Sequence, residues 1–287
     1  MSISDVEELD ELIKRTEEYV QHCMSRYDTS HDFNHVQRVC RMAQTIAAAE
    51  SPQATVVSRL RCLLSDLISA PTTILRRFWL TWARRNDRQR GAVQEPRHTR
   101  VETHGLRRTE SKWSSLFYRF SRPLQSCNPS VQYDFAVVTL ASLLHDVGDK
   151  KYLSVGQDGT QLVADFLISA NASVSLANTV QEVVNAVSYS SETKNPAHVA
   201  NVLARHPELG PVQDADRLDA IGAVGIGRCF THNAATGLGM AAAIQHFADK
   251  LLRLEGMMKT KAGRAMARER TERLQEFQAW WYEEMRC

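Results

Sequence analysis

The residues best suited to chemistry in this chain are histidines and aspartates in three separated stretches. The first, SHDFNHVQRV from Ser30 to Val39, sets His31 and His35 four residues apart where an amphipathic helix reads as beginning. The second, LLHDVGDKKY, places His145 beside Asp146 near the end of an apolar helix, with Asp149, Lys150 and Lys151 following. The third, QDADRLDAIGAVGIGRCF, holds Asp214, Asp216 and Asp219 within six residues and has Arg217 directly after Asp216. Neighbouring helical side chains project about 100° apart, so His145 and Asp146 can both reach a cation lying in a crevice. A charged aspartate buried there needs compensation, which a divalent cation supplies. Imidazole and carboxylate donors without thiolate suit Mn²⁺, Fe²⁺, Co²⁺, Ni²⁺ or Zn²⁺, and Mg²⁺ where oxygen donors dominate. Asp216 and Asp219 share a helical face, whereas Asp214, after GPVQ, reads as an N-cap.

The elements that must carry these residues read as helices. Ser4 followed by Glu7 fits a capping box, and Val6, Leu9, Leu12, Ile13 and Val20 recur behind it at near-helical spacing. A second apolar stripe, Val36, Val39, Cys40, Ala43, Ile46 and Ala47, carries His35 on or beside its buried face. Tyr133 to Asp146 is apolar all round, as a central helix would be. Further helical patterns cover about 159–170, 174–188, 196–205, 214–222, 240–258 and 261–285, joined by turns rich in Gly, Pro, Asn and Ser. No run of alternating strands appears, so the expected fold is all-α.

The 287 residues, 43% of them hydrophobic, can bury a substantial core. The six cysteines, at 23, 40, 62, 127, 229 and 287, form no CxxC pair, which favours reduced thiols in a cytoplasmic or nuclear setting over structural zinc. The acidic N-terminus does not read as a targeting signal, and no apolar run is long enough to cross a bilayer. The net charge of +2 is a cancellation. Residues 57–132 hold 14 Arg and one Lys against five acidic residues, a net +10 that leaves −8 on the rest. Three of the five tryptophans also lie there. This block reads as a basic arm for nucleic acid or membrane, or as a solvated loop. A third reading is a translated intron: Val57-Ser58 can be encoded by a splice-donor consensus and Gln132 by the usual acceptor ending.

The order His, His-Asp, Asp across the three stretches resembles the HD-domain superfamily of metal-dependent phosphohydrolases, in particular its small single-domain hydrolases. The resemblance covers about residues 5–56 and 133–285, including the C-terminal HFADKLLRLEGMMKT and ARERTERLQEF, and the block at 57–132 interrupts it. It implies one HD domain, a helical bundle with its metal site at the centre. It also implies His35, His145, Asp146 and Asp216 as metal ligands, Mn²⁺ as the first candidate, and hydrolysis of a phosphate ester or anhydride by a metal-activated water. His31 and Asp32 then read as residues behind the ligands or near substrate, with a hydrogen bond pinning the helix start as the equal alternative for His31. Asp149, three residues past Asp146, could orient the attacking water or simply face solvent at a helix terminus. Arg38, Lys150, Lys151, Arg217 and Lys250 are candidates for phosphate contacts, Arg38 and Arg217 favoured because they lie within the motifs. The expected substrate is a small phosphorylated molecule, a nucleotide first. The alternatives are an HD-fold nucleotide-binding module without catalysis and a nucleic-acid-associated protein working through the Arg-rich block. GAVGIG lies in a helical pattern, so helix packing suits it better than phosphate binding.

Overall fold

The computed structural model describes residues 3–25, 32–51, 131–148 and 159–286, all within one compact unit spanning 1–58 and 130–287. Most of the Arg-rich block, as well as His31, Asp149, Lys150 and Lys151, lies outside the described residues.

The second apolar stripe forms α2 (Phe33–Glu50), after α1 (Ile3–Met24). Its buried residues are the expected set with Met42 added, and His35 is buried among them. Asp32 starts this helix: its Oδ1 accepts from the His35 backbone N–H at 2.9 Å, satisfying one of the amide donors that a helix start leaves open. The next helix, α3 (Phe135–Leu144), is capped by Asp134, whose side chain accepts from the amides of Ala136 and Val137. Every residue from Val137 to Leu144 is buried, because α1, α2 and α5 (Val174–Val187) all pack on it. A helix enclosed from several sides has no polar face to keep.

The remaining elements are α4 (Leu162–Ser169), α6 (Tyr189–Lys194), α7 (Pro196–Arg205), α8 (Leu209–Asp219), α9 (Gly222–Ala235), α10 (Met240–Asp249), a 3₁₀ turn (Leu251–Met257) and α11 (Lys261–Glu284). No strand occurs among the described residues, and the fold is all-α. The sequence pattern at 240–258 is thus two pieces, α10 and the 3₁₀ turn.

The third chemical stretch departs furthest from expectation. Its helix starts at Leu209, not near Asp214, because Pro211 falls in the first turn, where a missing N–H is tolerated. Asp214 is therefore interior to α8 and does not cap it. It is fully buried and holds Thr260, the residue that caps α11 through the Gly263 amide, accepting from the amides of Lys259 and Thr260 at 2.7 and 2.8 Å and from Thr260 Oγ1 at 2.7 Å. GAVGIG opens α9, and a Cβ on Gly225 would collide with the Ala220 backbone, so close packing explains that glycine.

The two chain ends flanking residues 52–130 meet. Ser51 closes α2, with its N–H on the Ala47 carbonyl, and its Oγ donates to the Val131 carbonyl at 2.9 Å.

A candidate metal centre

α2, α3 and α8 bring the three stretches together. α2 packs on both α8 and α3. The Asp32 cap fixes the first turn of α2, and His35 sits there with its side chain 1% exposed. α3 ends at Leu144, so His145 occupies its C-terminal cap position and its Nδ1 donates to the Ser142 carbonyl at 2.8 Å. Gly148, at φ 87°, turns the chain away in the left-handed region. His145 and Asp146 thus follow the last residue of α3, and Asp149 lies outside the described residues.

His35 Nε2 and His145 Nε2 face each other at 3.2 Å. Asp146 Oδ2 lies 3.4 Å from the first and 3.3 Å from the second. Asp216 Oδ1 lies 3.7 Å from both. A cation about 2.1 Å from each of two adjacent donors separates them by roughly 3.0 Å in octahedral and roughly 3.4 Å in tetrahedral geometry. The spacings of 3.2 to 3.4 Å among His35, His145 and Asp146 match a ligand set of that size, and Asp216, 3.7 Å from both imidazoles, stands slightly farther out. The imidazoles are almost fully buried, whereas Asp146 and Asp216 are 19% and 28% exposed. The two carboxylate side chains thus reach solvent, while the Asp146 Oδ2 that faces the imidazoles is itself buried.

Donor chemistry points the same way. With Nδ1 of His145 donating to a carbonyl and Nδ1 of His35 donating to Asp219 at 2.7 Å, both Nε2 atoms present lone pairs to each other and to two carboxylates. Such an arrangement needs a positive centre. In its absence a proton serves: burial opposes the His35 imidazolium, but hydrogen bonds to Asp146 and Asp219 outweigh it and lift its pKa to about 9.

Asp219 belongs to the layer behind the cluster. Arg38 grips it with two bonds, Nε to Oδ1 at 2.8 Å and Nη2 to Oδ2 at 2.9 Å, and Arg228 Nη1 reaches Oδ2 at 3.0 Å. Burial pushes the Asp219 carboxyl up, yet the His35 and Arg38 bonds prevail and hold it far below the usual carboxylate range. Sequence reasoning did not single out Arg228 and left Asp219 without a role. The available signal was Asp219 standing three residues from Asp216 on one helical face.

The phosphate-contact candidates divide. Arg38 remains 36% exposed beside the cluster while bound to Asp219. Arg217 is a correction: it is 2% exposed, paired with Glu192 and donating to the Met257 carbonyl at 3.0 Å, so its guanidinium is committed to structure. Lys250 lies 4.9 Å above the Tyr189 ring. Asp32 acts as the helix cap described above, and its second oxygen accepts from Asn34 Nδ2 at 2.7 Å.

No family model matches the chain. Among curated proteins, YpgQ of Bacillus subtilis, an uncharacterised protein, is 38% identical over 144 residues, 48% of this chain. The chain spans 66% of that relative's length in this match, just under two thirds. Similar solved structures include B. subtilis YpgQ in complex with ADP, at 22% identity and a TM-score of 0.54 over 96% of each chain. An HD-superfamily hydrolase from Bacillus thuringiensis shares 20% identity at a TM-score of 0.52, over 97% of this chain and 99% of its own. The chain has the HD-type fold. In that fold the described residues include no helix long and apolar enough to cross a membrane. His35, His145 and Asp146 offer donor atoms that all lie within 4.8 Å of one another.

Proposed function

We propose that the protein is a metal-dependent phosphohydrolase acting on a phosphate ester or anhydride, with a nucleotide as its substrate. The observation that carries this reading is the convergence of His35, His145, Asp146 and Asp216 from three helices on one partly open, thiolate-free cluster. These four residues would hold the cation, Mn²⁺ first among the candidates. When bound, a divalent cation supplies Lewis acidity, which polarises a phosphoryl oxygen and activates water at neutral pH.

The chain's own residues do the rest. The buried imidazoles close one side of the cluster, and the more exposed Asp146 and Asp216 leave the other side to substrate and water. Arg38, exposed next to the cluster, is placed to meet a phosphoryl oxygen while anchored on Asp219. Asp149, Lys150 and Lys151, next along the chain from Asp146, are proposed to orient water and to contact phosphate, with Lys250 as a further cation. The nucleotide assignment draws support from the relative YpgQ, crystallised with ADP. That same complex also favours a second reading, an HD-fold nucleotide-binding module without turnover.

The test is Mn²⁺-dependent release of phosphate or pyrophosphate from a nucleotide panel by the full chain and by His145→Ala. Turnover that the substitution abolishes supports the hydrolase. Tight nucleotide binding without turnover by a folded, metal-loaded chain selects the binding module.

A further inference from the structure

His35 and His145 would meet a cation through equivalent Nε2 atoms, but their other ring nitrogens are held differently. His145 Nδ1 donates to a neutral backbone carbonyl, that of Ser142. His35 Nδ1 donates to the Asp219 carboxylate at 2.7 Å, a charge-assisted bond. Asp219 itself is a poor ligand candidate. It lies on the Nδ1 side of the ring, away from the Nε2 atoms that define the cluster. Its oxygens are taken up by His35, by Arg38 twice and by Arg228. Its side chain is 2% exposed.

We propose that Asp219 is a positioning residue that fixes the Nδ1–H tautomer of His35, leaving Nε2 as donor to a divalent cation, with Arg38 and Arg228 holding the carboxylate in place. This rests on the metal-centre reading above. The physical reason is that an imidazole offers a metal a lone pair on one nitrogen only if the other carries the proton, and a carboxylate acceptor both selects that tautomer and makes the ligand more basic. The arrangement also gives α8 two roles one helical turn apart: Asp216 faces the cluster and Asp219 faces the back of its first histidine. The two arginines come from different elements, α2 and α9, so the carboxylate is clamped from two sides.

The experiment titrates the full chain with Co²⁺, following its visible absorption, for the wild type, Asp219→Asn and His145→Ala. An asparagine can turn its amide N–H toward Nδ1 and select the wrong tautomer. The expected result is one Co²⁺ per wild-type chain, no site in His145→Ala, and one site weakened on the order of 10- to 100-fold in Asp219→Asn. In Zn²⁺-loaded protein the His35 Nδ1 proton should give a far-downfield NMR resonance that moves upfield in Asp219→Asn, a change that a merely structural role would not produce. Equal Co²⁺ affinity of wild type and Asp219→Asn overturns the positioning role while leaving the metal centre standing. A wild type that binds no Co²⁺ overturns both. If Asp219→Asn does not fold, Arg228→Gln, which loosens the clamp and keeps the His35 bond, should weaken Co²⁺ several-fold, and unchanged affinity there counts against the proposal.

Discussion

Replacing Asp216 by asparagine keeps its size and removes its charge, so Asp216→Asn should fold as the wild type does and lose stoichiometric Mn²⁺ uptake, read by calorimetry. A wild-type-like isotherm would remove Asp216 from the ligand set. The same titration carries a pH signature. His35, with its pKa near 9 in the metal-free protein, must give up a proton before Nε2 can bind a cation. Mn²⁺ affinity should therefore fall about tenfold for each pH unit below that value, and buffers of different ionisation enthalpy should report about one proton released. At this scale the sequence was most informative where a residue type has few alternative uses. A His-Asp pair and a spaced Asp invite a metal, and the structure brings the donor atoms of His35, His145 and Asp146 within 4.8 Å of one another, with Asp216 Oδ1 3.7 Å from both imidazoles. Sequence was least informative about partners, because the pairing of Arg217 with Glu192 and of Asp219 with Arg228 depends on tertiary contacts that no local spacing encodes.

Most helices were legible because they bury an apolar stripe, and α3 was legible as the central one because it has no polar face at all. What escaped was α6, which buries nothing, most of α9, and the start of α8. Gly210-Pro211 looks like a turn, yet a proline in a first helical turn costs no hydrogen bond. The misplaced boundary hid the anchoring by Asp214 of Thr260, the cap of α11. Asp214→Ala would leave the Lys259 and Thr260 amides and the Thr260 hydroxyl without their acceptor, and should destabilise the protein by about 2 kcal/mol in urea unfolding. The junction between α6, α8 and the segment before α11 should also be acid-sensitive. Burial pushes the Glu192 carboxyl up, but its hydrogen bond from Lys259 at 2.5 Å and the Arg217 charge prevail and hold its pKa below the ordinary value. A depressed carboxyl stabilises the fold above its unfolded pKa, about 4.3, and loses that contribution as pH falls through the folded value. Glu192→Gln should accordingly be less stable than wild type at pH 7, with the difference shrinking below about pH 4.

For the whole molecule, the meeting of Ser51 with Val131 matters most. Residues 52–130 leave and return at one point on the fold, where α2 and α3 are already packed together. Helix pairs of this kind are commonly joined by two to eight residues. A chain with 52–130 replaced by such a linker should fold and keep the Mn²⁺ affinity of the full chain. It should also bind anion-exchange resin, since removing nearly all of the basic block exposes the net negative charge of the remainder. Failure to fold would make the block part of the structure. Salt-sensitive nucleic-acid binding by the full chain but not the shortened one would give it a partner. The reading of that block as a translated intron is settled by sequencing the transcript.

The three pins on α8 have one further result. Asp214 is tied to residues 259 and 260, Arg217 to Glu192 and Met257, and Asp219 to His35, Arg38 and Arg228. A one-residue slip of this helix would rotate it by about 100° and present Ala215 or Arg217 to the two histidines in place of Asp216. The pins at the middle and the C-terminal end lock the rotation, so the identity of the residue that reaches the cluster is fixed by a phase angle, which is set by contacts of residues other than Asp216 itself.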